Sequence, residues 1–200
     1  MAEDSPPAAP PLHPIIAARR SARLLDPAGH VSREQVNVLL EAARWAPTWG
    51  RRQPVRFLVG LRDAEGADET FGKLQAILSR GNQSWAPAAG ALVLLASAAT
   101  GAPDEVAYAP VDLGLALGQL VLQAVADGLV AHPMAGFDKE AARTAFGIPV
   151  EFEPLVVVAV GVAATESAGA DPGLVAKENA PRERRPLSEV AFAGQWGCPL

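Results

Sequence analysis

The stretch that most restricts the fold is a run of branched apolar residues, Leu155 to Val160 (LVVVAV). β-Branched residues favour extended backbone, and a run without polar alternation is typical of a strand that is buried on both faces. We therefore predict that this segment is a central strand of a sheet. Two further strands are predicted, a buried one over Ala91 to Ala96 and one over Val55 to Val59.

Helical patterns surround these strands. Pro14 predicts a helix start. Four further helices are predicted. The first begins at the Ser32–Gln35 capping-box pattern and ends at Ala46-Pro47. The others run from about Asp68 to Leu78, from about Pro110 to Asp127 before Gly128, and from Asp138 to Gly147. Residues Thr48 to Gln53 are predicted to form a loop. Three or four strands among more helix predict an α+β layered domain.

The length and the ends of the chain indicate its organisation. Two hundred residues fit one domain, or one subunit that completes its core by pairing. The proline-rich residues 1–11 predict a disordered tail, residues 12–200 a single domain, and residues 164–200 an extended C-terminal arm within it. The start of the chain has no apolar core typical of a signal peptide or membrane anchor, so we expect a cytoplasmic protein that does not contact a membrane.

Composition excludes several function classes. The net charge of −5 and the acidic isoelectric point argue against nucleic acid as a partner. Cys198 is the only cysteine, which excludes an intrachain disulfide and a thiolate-rich zinc site. We expect no metal. The chain also lacks the glycine-rich loops that bind dinucleotides or nucleoside triphosphates.

Two arginine clusters, Arg19 to Arg23 (RRSAR) and Arg182 to Arg185 (RERR), stand out in this acidic chain. Guanidinium groups bind phosphate oxygens through charge-assisted hydrogen bonds, so the clusters could form one anion site if the two ends meet. The alternative is a solvated helix face, because arginine outnumbers lysine 14 to 3 in the whole chain.

Six short motifs occur in a fixed order. They are Arg19 to Arg23, Ala46 to Pro54 (APTWGRRQP), Gly81 to Ala86 (GNQSWA), the long helix from Asp112 to Gly128, Pro133 to Asp138 (PMAGFD), and Arg182 to Leu187 with Trp196-Gly197 behind it. With these motifs in this order, the chain resembles the nitroreductase family of flavin-dependent oxidoreductases over most of residues 14–200.

The resemblance implies a nitroreductase-like α+β fold, with a central, mostly antiparallel sheet flanked by helices, in an intertwined homodimer. It implies an FMN-dependent enzyme that passes hydride from NAD(P)H through the flavin to a small-molecule electron acceptor such as a nitroaromatic or a quinone. The flavin carries that chemistry, so no catalytic side chain is assigned.

The resemblance also implies the residues that bind the cofactor. They are Arg19, Arg20, Ser21, Arg23, Gln53, Asn82, Pro133, Met134, Ala135, Gly136, Arg182 and Arg184. The arginines and Ser21 are expected around the FMN phosphate, although Arg20 could point elsewhere. The Asn82 amide is expected at the pyrimidine edge of the flavin, with a loop-capping role as the alternative. The backbone of residues 133–136 is expected against the flavin ring, or is simply a turn that leads into the next helix.

The substrate is expected to meet Thr48, Trp49, Arg51 and Arg52. Arg51 stands where the family usually has asparagine, and Ala135 where it often has glutamate. The two arginines could receive an anionic substrate or the phosphate of NADPH, or they could face solvent. His132 could face the flavin, but a structural role is more typical of a lone histidine beside an apolar run.

Three other functions stay open at this point. The chain could be a flavin-binding carrier or sensor with little turnover. It could also be a specialised enzyme of the same fold that cleaves flavin, removes halogen or dehydrogenates a peptide-like substrate. A structural module without a cofactor is the third alternative.

Overall fold

The computed structural model describes residues 11–63, 66–165 and 170–200. The chain divides into two compact units, Met1–Ala168 and Gly169–Leu200. The predicted tail lies outside the described residues except for Pro11. The prediction of a single domain with a C-terminal arm stays a prediction.

The first unit is a mixture of helices and strands. Its helices are α1 (Pro14–Ala18), α2 (Arg33–Arg44), α3 (Glu69–Ile77), α4 (Arg80–Gln83), α5 (Pro103–Ala126) and α6 (Lys139–Phe146). Its strands are β1 (Val55–Asp63), β2 (Gly66–Ala67), β3 (Ala91–Ala98), β4 (Val130–Met134) and β5 (Phe152–Gly161). The strands form one antiparallel sheet in the order β2-β1-β3-β5-β4.

Helices cover both faces of this sheet. Helices α2 and α5 pack on one face, where Val93 of β3 and Val158 of β5 join Leu120 of α5 in the main core. Helices α3 and α6 pack on the other face. The apolar run that contains Val158 therefore forms an inner strand with both faces covered, as predicted, and the α+β layered fold is confirmed.

The predicted helix ends are largely confirmed by their caps. Ser32 accepts a hydrogen bond from the Gln35 amide, and the Gln35 side chain accepts one from the Ser32 amide, which completes the capping box of α2. Asp138 accepts a hydrogen bond from the Ala141 amide at the start of α6, and Gly147 follows that helix with φ +60°.

The predicted start of the long helix is wrong. Helix α5 begins at Pro103 rather than near Pro110, because Pro103 occupies its first position and Asp104 and Glu105 lie in its first turn. Pro110 lies inside the helix and is tolerated because burial continues past it, at Ala109 and Leu113.

The short edge strand β4 was not predicted. Its sequence contains Pro133, which has no amide hydrogen and is tolerated here because β4 lies at the edge of the sheet. The tiny strand β2 was also missed. The predicted loop from Thr48 to Gln53 contains a short 3-10 turn, Trp49–Arg51.

The second unit contains helix α7, Pro172–Asn179. The sequence predicted no helix in this part of the expected C-terminal arm. Asp171 caps the helix by accepting a hydrogen bond from the Leu174 amide, and Pro172 occupies its first position. A 3-10 turn (Leu187–Glu189) and an isolated bridge between Phe192 and Pro199 complete the described part of this unit.

Among the described residues, α5 is the one helix that is long and apolar enough to cross a membrane by length and composition. This is weak evidence, because a core helix passes the same test. One face of α5 packs on α2 and on strands β3 and β4.

Candidate cofactor site

The first predicted arginine cluster follows α1 in a chain segment that runs beside the sheet. Arg19 and Arg23 are half-buried, whereas Arg20 and Ser21 are exposed. The Arg19 Nη1 atom lies 3.4 Å from Ser21 Oγ and donates a hydrogen bond to it. Leu25 forms an isolated antiparallel bridge with Ala163, just beyond β5. The cluster is therefore anchored next to the part of the sheet that β4 and β5 form.

His132 joins this segment to β4. Its Nδ1 atom lies 3.0 Å from the carbonyl oxygen of Ala22, and its ring is buried. The indole ring of Trp85 lies against it, with 4.6 Å between the ring centroids. A buried imidazole with both contacts supports the structural interpretation of His132 over a catalytic one.

Asn82 lies against the turn that follows β4. Its Nδ2 atom donates a hydrogen bond to the carbonyl oxygen of Gly136 over 3.0 Å, and the Ser79 amide donates to the same oxygen over 2.9 Å. No other side-chain hydrogen bond of Asn82 occurs within the described residues. The Asn82 Oδ1 atom therefore keeps its acceptor capacity for a ligand.

Close packing leaves no room for a side chain at Gly136. A Cβ atom added there would lie 2.7 Å from Ser79 Oγ and 3.0 Å from Asn82 Nδ2. Pro133 and Met134 belong to the end of β4, paired with Val158 and Val157 of β5, and Ala135 is exposed. The first unit thus brings together three predicted cofactor segments, namely residues 19–23, Asn82 and residues 133–136.

The predicted substrate loop, residues 48–53, has an unusual backbone. Gly50, Arg51 and Gln53 have φ angles of +55°, +60° and +50°. For residues with a side chain, this left-handed region costs about 1–2 kcal/mol each. Such a backbone persists only where contacts with the rest of the protein hold it in place.

Asp112, on α5, supplies one such contact. It is buried, and its Oδ1 and Oδ2 atoms lie 3.0 Å and 3.2 Å from the backbone nitrogen of Trp49, which donates to the carboxylate. No role in the site was assigned to Asp112 from the sequence. Its true role was missed because 63 positions separate it from Trp49. The sequence signal that could have indicated this contact is an acidic residue within the apolar face of a helix, since a buried carboxylate needs a hydrogen-bond partner.

The two arginines of this loop differ in their surroundings. The Arg52 Nη2 atom lies 2.5 Å from Glu105 Oε1 on α5, so its charge is neutralised by an ion pair. Arg51 is exposed and has no ion pair within the described residues. Of the two predicted anion-receiving residues, Arg51 is therefore the better placed for an incoming ligand.

Small cavities adjoin the loop. One of about 270 Å³ is lined by Thr48, Gln53 and Phe57 among others. A second of about 200 Å³ is lined by Trp49, Arg52 and Asp112 among others. No cluster of three or more potential metal-ligating side chains occurs in residues 11–63, 66–165 and 170–200.

The loop and the three joined segments lie at different edges of the sheet. The loop leads into β1, whereas residues 133–136 follow β4, with β3 and β5 between these strands. Three strand spacings of roughly 4.8 Å separate β1 from β4 by about 14 Å. Within one subunit, Gln53 therefore does not join the cluster that contains Asn82.

The second arginine cluster lies in the second unit. Arg182 and Arg184 are exposed, and Arg184 Nη1 donates a hydrogen bond to the carbonyl oxygen of Glu183 over 2.7 Å. Their predicted role at the FMN phosphate stays a prediction.

Comparisons with known proteins agree with the arrangement of the first unit. A family model described as the nitroreductase family matches residues 16–162. An uncharacterized 15.4 kDa protein of Mycolicibacterium smegmatis is 48% identical over 151 residues, which cover 73% of this chain and 100% of that protein. "Putative NAD(P)H nitroreductase YdgI" of Bacillus subtilis (strain 168) is 28% identical over 190 residues, 76% of this chain and 88% of that protein.

Solved structures show the same fold. A crystal structure described as an oxidoreductase containing FMN superposes with a TM-score of 0.85 at 30% identity, covering 96% of each chain. A nitroreductase family protein from Clostridium difficile 630 superposes with a TM-score of 0.68 at 23% identity, covering 90% of this chain and 96% of that one.

Proposed function

The chain belongs to the nitroreductase family, and on that premise we propose that it is an FMN-dependent oxidoreductase that uses NAD(P)H. Its acceptor would be a nitroaromatic, a quinone or a similar small molecule. When bound, FMN supplies hydride transfer from a reduced nicotinamide to that acceptor. The FMN-containing structure at 30% identity supports the cofactor, and the YdgI relative supports the nicotinamide.

This proposal depends on one observation: three predicted cofactor segments lie close together beside β4. The contact between Ala22 and His132 links residues 19–23 to the strand, and the Asn82–Gly136 hydrogen bond links Asn82 to the turn that follows it. These segments are far apart in the sequence, so folding alone brings them together.

The chemistry of these residues fits FMN. Arg19 and Arg23 offer guanidinium donors and Ser21 a hydroxyl, which suit a phosphate dianion. The Asn82 amide offers an acceptor and a second donor hydrogen, which suit the polar edge of the flavin ring. Ala135 has only a methyl side chain and is exposed, so its backbone amide can approach a planar ring closely. Arg182 and Arg184 are proposed to bind the same phosphate.

A homodimer would complete the site. The loop with Gln53 and Arg51 lies at the β1 edge, about 14 Å from the cluster beside β4 by three strand spacings. We propose that this loop contacts the flavin of the partner subunit. The exposed apolar residues Val111 and Leu115 on α5 and Trp45 after α2 support pairing through these helices. The acidic net charge argues against nucleic acid as a partner. A cytoplasmic location is part of the proposal.

Steady-state assays test the proposal. Purified protein is supplied with FMN, then with NADPH or NADH, and a quinone or a nitroaromatic is added. We expect nicotinamide consumption that depends on both FMN and the acceptor, from a particle of twice the 20.8 kDa subunit mass. Bound FMN without consumption by either nicotinamide would instead identify a flavin carrier or sensor.

A further inference from the structure

Three side chains of α5 form a stripe that faces the loop of residues 48–53. Glu105, Tyr108 and Asp112 are spaced by three and four residues, so they lie on the same side of the helix. We refer to these three residues as the α5 stripe. None of them was assigned to the site from the sequence.

Each member of the stripe makes a different contact with the loop. The Asp112 carboxylate accepts a hydrogen bond from the Trp49 amide, with its two oxygens at 3.0 Å and 3.2 Å. The Tyr108 ring stacks on the Trp49 ring, with 5.6 Å between centroids and 11° between planes. The Glu105 carboxylate pairs with the Arg52 guanidinium at 2.5 Å.

These contacts hold the part of the loop where the backbone is strained. The other hydrogen bonds of the loop are of two kinds. The amides of Arg51 and Arg52 donate to the carbonyl oxygens of Thr48 and Trp49, within the loop itself. Arg56 of β1 donates from Nη1 to the carbonyl oxygen of Gln53, which holds only the end of the loop that leads into β1. The direction of the segment from Trp49 to Arg52 depends on its contacts to α5, a long helix packed in the core.

We propose that the α5 stripe is a positioning device for this loop, and that it sets where Gln53, Thr48 and Arg51 meet the flavin and the acceptor. The first part of this proposal, that the stripe holds the loop in position, depends only on the contacts described above. The effect on the reaction rests on the proposed function. Because Glu105 pairs with Arg52, the stripe also leaves Arg51 as the guanidinium of the loop that has no ion pair among the described residues.

The test uses the two members of the stripe that are not buried, so the core stays intact. Tyr108 is 45% exposed, and the Glu105 side chain is 24% exposed. The variants are Tyr108→Leu, Glu105→Gln and their combination in the full-length protein. Tyr108→Phe keeps the stacked ring and serves as the conservative variant. Asp104→Asn removes a neighbouring carboxylate in the same helical turn and serves as the charge control.

Two readouts are measured. Hydrogen–deuterium exchange over residues 46–54 reports the order of the loop without any cofactor. Steady-state kinetics of the FMN-loaded protein report kcat and KM for the acceptor. We expect exchange in the double variant to rise about tenfold and kcat/KM to fall roughly tenfold, with flavin content retained. Tyr108→Phe and Asp104→Asn should match the wild type in both readouts.

Other results would overturn the proposal. Unchanged exchange in the double variant would show that the stripe does not hold the loop. Faster exchange with unchanged kcat/KM would show that the position of the loop does not govern the reaction. If the wild type binds no FMN and consumes no nicotinamide, the proposed function fails, and the exchange readout alone decides the first part of the proposal.

Discussion

Asn82 and Gly136, 54 positions apart in the sequence, are joined by a hydrogen bond of 3.0 Å from the Asn82 amide nitrogen to the Gly136 carbonyl oxygen. The bond fixes the amide plane of Asn82 next to the turn that follows β4. In the proposed enzyme, that plane meets the polar edge of the flavin ring. We therefore expect the geometry at Gly136 to affect cofactor affinity as well as packing.

Substitution of Gly136 by alanine tests this coupling. The added Cβ would lie 2.7 Å from Ser79 Oγ and 3.0 Å from Asn82 Nδ2, so Asn82 must move. We expect a loss of about 1–2 kcal/mol in the free energy of unfolding, and an FMN dissociation constant raised roughly tenfold. Denaturant unfolding and flavin titration measure the two effects.

Gly72→Ala is the matched control. Gly72 lies on the exposed side of α3, where an added Cβ meets nothing within 4 Å. Alanine inside a helix should stabilise the protein by about 0.5–1 kcal/mol and leave FMN affinity unchanged. Equal FMN affinity in the two variants would contradict the link between Gly136 and the cofactor.

The arginines that are proposed to bind the FMN phosphate give a second set of variants. Alanine at Arg19, Arg23 or Arg184 removes a charged donor, and hydrogen bonds to charged groups contribute about 1.5–3 kcal/mol. We expect each variant to bind FMN about 10 to 100 times more weakly, as measured by fluorescence titration. Arg33→Ala, at an exposed position in the first turn of α2, is the control and should bind FMN normally. Wild-type FMN affinity in the Arg184→Ala variant would show that the second arginine cluster does not bind the phosphate.

Arg62 makes a structural contact whose loss can be measured. Its guanidinium donates hydrogen bonds to the carbonyl oxygens of Pro27, Gly29, Ala88 and Ala89, which fixes two loops to β1. We expect Arg62→Ala to lower the free energy of unfolding by about 3 kcal/mol, because it leaves these carbonyls without their donor. Arg62→Lys should not restore stability, since an ammonium lacks the planar fork. Thermal unfolding of both variants checks this, and a wild-type Tm in either would contradict it.

Glu41 on α2 gives a prediction on pH. Hydrogen bonds from Arg44 and then from Trp45 lower the pKa of the Glu41 carboxyl from 4.5 to about 2. A depressed pKa in the folded state means that this contribution to stability is present above pH 4.5 and is lost as the pH falls toward 2. The Tm difference between wild type and Glu41→Gln should therefore narrow over that range. The effect is small because the pair is exposed to solvent. A difference that stays constant from pH 6 to pH 3 would contradict the assignment.

Local patterns predicted the features that depend on local chemistry. The capping box of Ser32 and Gln35 and the cap at Asp138 follow from side chains that bond to nearby amides. The apolar run around Val158 predicted an inner strand, because it has no polar face to present to water.

Features that depend on tertiary contacts were missed. The sequence predicted a helix start near Pro110, but the helix continues on both sides of it because the surrounding turns are packed against the core. The contact of Asp112 with Trp49 joins distant segments, so no local pattern reports it. The resemblance to a family implied which residues bind the cofactor, but the hydrogen bond between Asn82 and Gly136 depends on the fold and no local pattern predicts it.

The absorption spectrum of the purified protein, followed by anaerobic addition of NADPH, tests the central claim most directly. The proposed enzyme should carry or take up FMN, show a yellow flavin spectrum and bleach when NADPH is added. A colourless protein that also fails to bind added FMN would contradict the cofactor site built around Arg19, Asn82 and Gly136. Bound flavin that neither NADPH nor NADH bleaches would contradict the proposed reductant and favour a carrier or sensor.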